Sequence, residues 1–468
     1  MKKILKRFFR YSVIALLFVA LMALSACGSS TAAQSKNSGA KAEESSAAKV
    51  KAPADTSAGT GSGTVTIKYW THENPVYVNT ADRQAAEFNK THPNIKVVHE
   101  YFSDFNTKVY SSFAAKTEGD VIEMYGGVVR FAKGGTILPV PADVMTDSEI
   151  KETYWPATIE NRFYEGKYYG LPEELNLESP GLLVNPALFK KEGLTVPEEW
   201  KKNLGPSSWA ELMQYAKKLT KIEGGTMKQA GLRVIGGEEI SMFLSYIWQM
   251  GKDYRDPQNM KVHFNTPEGK KAIEFIMNLI EGPNQVHSAQ FSGRFDGFKE
   301  GTEAMTIGAP WYCAVLDQEV KGLEYEYYNL PPFIDGAKPY FVGEGGWGPI
   351  VSSRTKYPKE AWEFVKFDMN KDNQLYWAKS VGSIPARKDL KDNEFFTTGE
   401  GHKVFFPALQ IVQYAIDPGA YTIDPYQMVW DICSKNLTAI THKEVSIDEG
   451  LKNMEDQVNE MINKLKAQ

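Results

Sequence analysis

Hydrophobic and polar residues alternate where the folded part of the chain begins. Val65, Ile67 and Tyr69 occupy every second position, which is typical of a half-buried β-strand. Residues 80–90 have helical character, and the apolar run 95–98 predicts a second strand. The chain is therefore expected to open with a β-α-β unit.

Further short apolar runs alternate with segments of helical character. They predict strands at residues 121–122, 182–184, 232–235, 305–307 and 350–351. Strands that alternate with helices are typical of α/β proteins with parallel or mixed sheets. The predicted fold class is therefore α/β.

Capping residues mark several helix starts. Ser208 with Glu211, and Ser446 with Glu449, match the Ser-x-x-Glu pattern of a capping box. Thr266 stands where a helix would begin, followed by a proline. After Ser446, apolar residues recur at intervals of four and three. This spacing predicts a terminal helix with one face packed on the body.

The first 26 residues have the form of a secretory signal peptide. Five basic residues precede an apolar run of twelve, residues 13–24, and no acidic residue interrupts them. Twelve helical residues rise only ~18 Å against a hydrocarbon core of ~30 Å, so a permanent membrane span is the poorer interpretation. Residues 24–27 resemble the bacterial lipobox, which predicts an acylated Cys27 that anchors the protein outside the cytoplasmic membrane. The expected host is a Gram-positive bacterium.

Residues 27–63 predict a lipidated cysteine followed by a flexible tether. From Gly28 onward the segment consists almost entirely of small, polar and charged residues, with Val50 as its one large aliphatic. Such a composition cannot bury a core of its own.

Composition and charge exclude several classes of protein. With 42% hydrophobic and 24% charged residues, the bulk of the chain can form an ordinary globular core. Five of the 53 basic residues precede Cys27, which leaves 48 against 58 acidic residues and a formal charge of −10. We therefore expect no nucleic-acid partner. The other two cysteines, Cys313 and Cys433, provide no disulfide framework or zinc motif, and we interpret them as small buried hydrophobes.

Motifs for catalysis and cofactors are weak, and we predict no catalytic residue, cofactor or metal. Residues 343–348 match the G-x-G-x-x-G string, but a strand follows where a dinucleotide site needs a helix. No H-E-x-x-H or G-x-S-x-G motif occurs. The adjacent Glu173 and Glu174 are interpreted as solvated charges because neighbouring extended residues face opposite sides. A glycosidase stays open as an alternative, since two carboxylates close in space cannot be found from spacing.

Aromatic residues are frequent near the ends of predicted strands. The chain has ten Trp and 23 Tyr, and Trp70, Tyr125, Trp311, Tyr312 and Trp347 stand at such ends. Pyranose rings stack on aromatic planes through their C–H faces, while their hydroxyls need amides, carboxylates and arginine. A cleft that combines these groups would suit a sugar.

At this point the chain resembles the extracellular solute-binding proteins of bacterial ABC sugar importers, the family that includes maltodextrin-binding proteins. The resemblance covers nearly all residues after the tether. Its segments are TIKYW (66–70), EFN (87–89), HPNIKV (92–97), DVI (120–122), AKGGTILP (132–139), GKYYGLP (166–172), LLVN (182–185), FKEG (298–301), AM (304–305) and GSIPAR (382–387).

The resemblance implies a two-lobed periplasmic-binding-protein-like fold with a ligand cleft between the lobes. It places the N-terminal lobe at residues 64–176 plus about 343–386, and the C-terminal lobe at 177–342 plus about 387–468. It also implies ligand-binding residues, with glycines at 126–127 where the maltodextrin pattern has an acid. These residues are Trp70, His72, Glu73, Tyr125, Gly127, Glu178, Glu239, Trp311, Trp347, Arg387 and Trp430.

The expected function is the capture of a carbohydrate, expected to be a neutral oligosaccharide, by a monomeric lipoprotein that delivers it to ABC permease subunits. Binding would be coupled to lobe closure. Two alternatives remain: a secreted carbohydrate-active enzyme, and a sugar sensor that serves a membrane kinase. Product formation would reveal the enzyme, and neighbouring permease genes would argue against the sensor.

Overall fold

A computed structural model of the chain describes residues 63–177, 179–289 and 296–467. The strands of these residues are β1 (Val65–His72), β2 (Ile95–Phe102), β3 (Val121–Glu123), β4 (Phe163–Tyr164), β5 (Lys167–Tyr168), β6 (Glu174–Leu177), β7 (Gly181–Val184), β8 (Lys221–Glu223), β9 (Thr226–Gln229), β10 (Arg255–Asp256), β11 (Lys261–Val262), β12 (Met305–Ile307), β13 (Glu326–Asn329), β14 (Phe341–Gly345), β15 (Pro349–Val351), β16 (Ile384–Pro385) and β17 (Ala415–Ile416).

The α-helices of the described residues range from one to about six turns. They are α1 (Pro75–Thr91), α2 (Phe105–Ala115), α3 (Val128–Lys133), α4 (Asp147–Thr153), α5 (Pro156–Ile159), α6 (Pro186–Lys191), α7 (Glu198–Asn203), α8 (Trp209–Leu219), α9 (Glu239–Gln249), α10 (Pro267–Ile280), α11 (Asp296–Lys299), α12 (Pro310–Glu319), α13 (Pro358–Asp368), α14 (Lys371–Val381), α15 (Glu394–Thr397), α16 (His402–Leu409), α17 (Ser434–Thr441) and α18 (Ile447–Ala467). A π-helix, Gln427–Cys433, runs directly into α17. The α/β class predicted from the sequence is confirmed.

Three larger sheets organise the body. The first has the order β15-β3-β1-β2, the second β12-β7-β13 and the third β16-β6-β14-β17. In the first sheet β1 runs parallel to β2 and β3, which confirms the predicted β-α-β opening. The third sheet joins strands from distant parts of the chain, because β6 pairs antiparallel with both β14 and β16. It therefore lies where the chain passes repeatedly between the other two sheets.

Hydrophobic residues pack on both faces of the first sheet. Tyr69 and Phe88 belong to the core on one face, and Trp70 and Phe131 to the core on the other. A larger core surrounds the second sheet and includes the inner face of α18. The terminal helix is thus confirmed, with the buried residues Leu451, Met454, Val458, Met461 and Leu465 on one face.

Local signals set the helix starts largely as the sequence predicted. The hydroxyl oxygens of Ser208, Thr266 and Ser446 each accept a hydrogen bond from the backbone N–H three residues later. Helix α1 begins at Pro75 rather than near residue 80, because the side chain of Asn74 caps it through the Val76 N–H. An N-terminal cap and a proline in the first turn both favour this earlier start.

Two predictions of local structure were wrong. Residues 232–235 form no strand. Arg233 makes only an isolated bridge to Thr306 of β12, and Ala230 makes another to Glu303, just before that strand. The intervening N–H groups of Gly231 and Leu232 donate to Val286 O instead. Glu173 and Glu174 are buried rather than solvated. They lie on and beside β6, covered by the segment between β14 and β15.

Candidate functional site

A cleft with a volume of about 340 Å³ gathers aromatic and amide side chains from distant parts of the chain. Seven rings, three asparagines and one carboxylate line it. They are His72, Asn74, Tyr77, Asn106, Tyr125, Glu174, Asn176, Trp311, Trp347, Tyr426 and Trp430. The rings are all partly exposed, so the cleft presents aromatic surface to whatever enters it.

One side of the cleft is a wall of mutually contacting rings. The His72 ring lies 4.2 Å from Trp347 and 4.3 Å from Tyr77, measured between ring centroids. Tyr125 meets Trp347 edge to face at 5.3 Å. Such contacts restrict each ring to few orientations, so this ring wall is held in place before any ligand binds.

The backbone on both sides of Trp347 is also fixed. The Trp347 N–H donates to Glu174 Oε1 at 3.1 Å, and its carbonyl oxygen accepts from the Glu173 N–H at 3.0 Å. A Cβ on Gly346 would stand 2.0 Å from Glu174 Oε1. The glycine-rich string is therefore a strand crossing that allows this close approach, and β15 follows it as the sequence predicted.

His72 is a neutral ring under ordinary conditions. Burial lowers the pKa of its imidazole to about 4. Its Nδ1 accepts the Asn74 N–H at 3.2 Å, and its Nε2 lies 4.0 Å from Glu123 Oε2. Since Nδ1 acts as an acceptor, the proton of the neutral ring is assigned to Nε2.

A chain of polar groups runs along the third sheet into the cleft. Asn176 Nδ2 donates to the Tyr125 hydroxyl, and that hydroxyl donates to Glu344 Oε1 at 2.9 Å. Glu174 and Asn176 are alternate residues of β6 and therefore share one face of the strand. This arrangement offers a ligand amide and hydroxyl groups whose orientation is already set.

The opposite side of the cleft carries Trp311, Tyr426 and Trp430. Pro310 starts α12, so Trp311 lies in the first turn of a helix that follows the end of β12. Trp430 projects from the π-helix, and Tyr426 immediately precedes it. Tyr426 approaches the ring wall, with its ring 5.5 Å from Tyr125.

Five of the residues predicted to bind ligand line this cleft together: His72, Tyr125, Trp311, Trp347 and Trp430. Glu73 is exposed beside it. Glu178 lies outside the described residues. That any of these residues contacts a ligand stays a prediction.

Four other predicted residues lie away from the cleft lining and have local contacts. Trp70 is buried, and its Nε1 donates to Glu100 Oε2 at 2.6 Å. Gly127 takes a positive φ of 59° as it begins α3. The Glu239 carboxylate accepts two backbone N–H groups that precede its own helix, and Arg387 pairs with Asp389 at 2.9 Å.

The cleft also contains six residues that the sequence analysis did not select: Asn74, Tyr77, Asn106, Glu174, Asn176 and Tyr426. A signal for two of them was available. Glu178 was assigned to the cleft from the resemblance, and in a strand predicted to lead up to it, alternate positions such as 174 and 176 would be expected on one face. For Asn106 and Tyr426, which come from distant segments, no comparable signal exists.

Metal ligands, cysteines and membrane-spanning helices were examined in the residues that the structure describes. Within them, no group of three His, Cys, Asp or Glu side chains could hold a metal ion. Cys313 and Cys433 are both buried and unpaired by any disulfide. A search of the same residues for a helix long and apolar enough to cross a membrane finds none.

Comparisons with known proteins agree with this architecture. The sn-glycerol-3-phosphate-binding periplasmic protein of Escherichia coli is 24% identical over 360 residues, which cover 71% of this chain and 77% of that protein. An ABC substrate-binding protein of Listeria monocytogenes, solved with cycloalternan, superposes with a TM-score of 0.69 at 19% identity, covering 86% of this chain and 99% of the other. The GacH receptor of Streptomyces glaucescens, solved without ligand and with acarbose, gives the same TM-score and coverage at 22% identity.

These structural similarities establish the two-lobed fold of periplasmic binding proteins, with a cleft between the lobes. The family model for bacterial extracellular solute-binding proteins matches residues 74–375, which is more than half of the chain. The matched range contains Tyr77, Tyr125 and Trp347 of the ring wall, together with Glu174, Asn176 and Trp311, whereas His72 lies just before it. This chain belongs to the family of bacterial extracellular solute-binding proteins.

Proposed function

We propose that the cleft binds a neutral oligosaccharide and that the protein presents this ligand to the membrane subunits of an ABC importer. The observation that carries the proposal is the composition of the cleft. Seven partly exposed rings surround three amides and one carboxylate, and none of the described lining residues is a lysine or arginine.

Each part of this lining has a counterpart in a sugar. The rings provide planes for the apolar C–H faces of pyranoses, while asparagine amides both donate to and accept from hydroxyl groups. The buried Nε1 of Trp430 has no hydrogen-bond partner among the described residues. A ligand hydroxyl in the cleft would supply the acceptor that this N–H lacks.

Charge favours a neutral ligand over an anionic one. The relative from Escherichia coli is named for a phosphate ester, and phosphate recognition relies on arginine, lysine or helix N-termini. Here the one charged group among the described lining residues is Glu174, an acid. A phosphate or uronate placed beside it would be repelled.

Size supports an oligosaccharide. The cleft volume of about 340 Å³ lies at the lower end of the ~300–1,000 Å³ range of ligand pockets. Aromatic planes occur on both sides of the cleft, so more than one sugar ring could be stacked. The solved neighbours with acarbose and cycloalternan bind compounds of this class.

Ligand capture would be coupled to movement of the two lobes. We assign the N-terminal lobe to residues 64–176 and about 343–386, and the C-terminal lobe to 177–342 and about 387–468. A ligand that touches Trp347 on one side and Trp311 on the other stabilises the closed state by these differential contacts. The permease would recognise that state. We further infer a monomer without catalytic activity, tethered through an acylated Cys27.

Calorimetry across a panel of neutral mono- and oligosaccharides tests the ligand class, with a uronate, glycerol 3-phosphate and a peptide as comparisons. We expect binding of at least one neutral oligosaccharide. Binding of only an acid, phosphate or peptide would overturn the proposal.

Chromatography of the incubated sugars tests the absence of catalysis, because new products would identify an enzyme. Replacement of Cys27 by alanine should release the protein from the membrane fraction.

A further inference from the structure

Three carboxyl groups meet behind the ring wall. Glu123 lies at the end of β3, Glu173 precedes β6 and Asp368 ends α13. Their side chains are 2%, 0% and 0% exposed, respectively. Acids this deeply buried are normally paired with a cation, so the cluster requires an explanation.

The expected partners are missing around these three groups. Apart from the carboxyl groups themselves, no hydrogen-bond donor among the described residues reaches Glu123 Oε2 or either carboxylate oxygen of Glu173 and Asp368. Arg162 is a buried cation whose pKa is influenced by Glu173, but its Nη2 donates to the carbonyl oxygens of Met124 and Gly346. Its Nε and Nη1 have no partner in the described structure.

The carboxyl groups of Glu123 and Glu173 influence each other's pKa as side-chain hydrogen-bond partners. Two ionised carboxylates have only acceptors, so a hydrogen bond between them requires a proton on one of them. Like charges at this separation in a buried site also oppose double ionisation. Geometry and burial therefore place at least one proton on this pair.

Both acids are connected to the ring wall. The Glu173 N–H donates to the carbonyl oxygen of Trp347, and Glu123 Oε2 lies 4.0 Å from His72 Nε2. His72 in turn packs against the Trp347 ring. Repulsion between the two carboxyl groups would therefore displace the groups that hold this side of the cleft.

We propose that Glu123 and Glu173 share a proton and act as positioning residues for the His72–Trp347 wall, so that loss of the proton weakens ligand binding. This inference rests on the proposed function for its effect on binding. The proton sharing itself concerns the protein alone.

Burial, reinforced by the neighbouring acids, raises the pKa of both carboxyl groups, and for Glu123 the value is about 8. The shared proton is therefore retained at neutral pH and lost in mildly alkaline solution. The charged and titratable groups that face the pair from the surrounding elements are Tyr69, His72, Tyr77, Tyr154, Arg162, Glu174 and Asp368. Of these, His72 is already neutral, and burial raises the tyrosine pKa values still further above 10.

The test compares the wild-type protein with Glu173→Gln across pH. The glutamine amide donates to Glu123 without a titrating proton, so the wall stays in place at every pH. Wild-type affinity for the best sugar of the panel should fall at least ~10-fold between about pH 6 and about pH 9, since one pH unit above an essential pKa changes affinity tenfold. The variant should change less than ~3-fold over this range and match wild type within ~3-fold at about pH 6.

Glu363→Gln provides the control, because it removes a partly exposed carboxylate from the same helix as Asp368. This control variant should show the same fall in sugar affinity with rising pH as the wild type. Glu123→Gln is the second variant, should Glu173→Gln fail to fold, and it should flatten the profile in the same way. An equal pH dependence of affinity in the wild type and either glutamine variant would overturn the coupling to binding.

Thermal unfolding without ligand separates this inference from the proposed function. If no sugar binds, the melting temperature can still be measured against pH. The shared proton predicts a shallower loss of melting temperature toward alkaline pH in Glu173→Gln than in wild type. Identical slopes would overturn the shared proton regardless of the ligand.

Discussion

The two sides of the cleft differ in how the buried charge behind each is neutralised. Behind the ring wall, Arg162 donates to backbone carbonyls, and the acids Glu123 and Glu173 lack a cationic partner among the described residues. Behind the Trp311 side, Arg233 Nη2 pairs with Glu238 at 2.7 Å. Tyr312 follows Trp311 in the chain, and the charges of this second cluster influence the pKa of its hydroxyl group.

The difference shows that a buried arginine does not by itself neutralise nearby acids. Arg233 also lies 3.7 Å from Glu303 and donates to the Thr306 hydroxyl, so it divides its hydrogen bonds between side chains and the carbonyl oxygens of Ile235 and Ile307. Arg162 uses its donors to hold the backbone beside Trp347 instead. The Glu238 carboxylate on one side of the cleft is therefore neutralised by an ion pair, whereas Glu123 and Glu173 on the other side depend on protons and thus on pH.

The largest effect should come from breaking the ion-paired cluster. Arg233→Met leaves Glu238 buried without its cation and should lower the free energy of unfolding by about 3–5 kcal/mol, measured by urea denaturation at neutral pH. Arg162→Met is the matched variant. It deprives two carbonyl oxygens of a donor but breaks no ion pair, so about 1–3 kcal/mol is expected. A larger loss for Arg162→Met would contradict the contrast.

Ligand contact on the ion-paired side is tested by Trp311→Ala. Loss of stacking should weaken affinity by ~5- to 150-fold, equivalent to about 1–3 kcal/mol, while unfolding remains cooperative. Trp347→Ala should weaken binding comparably and also reduce its pH dependence. Truncation of a core tryptophan would instead cost about 3–5 kcal/mol of stability. If Trp311→Ala lost this much stability but kept its affinity for the ligand, Trp311 would be a core residue and not part of the binding site.

Stability should fall as pH rises, because the buried acids hold protons in the folded state that they lose on unfolding. Burial raises the pKa of Asp368 from 3.8 to about 7. The loss in the free energy of unfolding that this buried acid causes therefore grows as the pH rises between these values, and it is complete above about pH 7. Asp368→Asn should raise the melting temperature at about pH 8 by a few degrees and reduce this slope. Part of the slope of melting temperature against pH should remain in this variant, because the pKa values of Glu303 and Asp417 are also raised, to about 7 and 8.

A lower melting temperature for Asp368→Asn at alkaline pH, with an unchanged slope, would show that Asp368 is ionised and paired. Differential scanning calorimetry at several pH values distinguishes these outcomes. Wild type at about pH 5 serves as the reference, because the raised acids are protonated there.

The smallest effect is expected at His72. Burial lowers its pKa from 6.5 to about 4, so its contribution to stability is present above pH 6.5 and is lost as pH falls toward 4. His72→Phe should remove the loss of stability that the wild type shows as the pH falls from 6.5 toward 4, which thermal unfolding at several acidic pH values would measure. Because phenylalanine keeps a ring against Trp347, ligand affinity at about pH 7 should change less than ~3-fold. A large affinity loss would instead indicate a direct hydrogen bond from the imidazole to the ligand.

Much of the fold was predictable because its signals are local. The alternation around Ile67, the caps at Ser208 and Ser446 and the repeat along α18 each depend on residues within one or two turns. The run 232–235 carried the same kind of signal but forms no strand, because the N–H groups of Leu232 and of the preceding Gly231 donate to Val286 O. A strand also needs a free partner, and its sequence does not contain that information.

The candidate site was predictable only where the resemblance or a strand face pointed to it. Trp70 and Trp347 both stand at strand ends, yet one packs against Phe102 in the core and the other lines the cleft. Glu173 seemed solvated because its surroundings come from β3 and α13, far away in the chain. Burial of a charge is determined by such distant contacts, so local sequence cannot reveal it.

The π-helix that carries Trp430 gives this cleft an evolutionary route to new specificity. A π-turn accommodates one residue more than an α-turn of similar rise, and Gln427–Cys433 continues into α17 without a break. Deletion of one residue within it could restore α-helical geometry while leaving α17 in register with the body. The indole would then rotate by about 100° around the helix axis. Length variation at this one point could thus exchange the side chain offered to a sugar without redesigning the lobes.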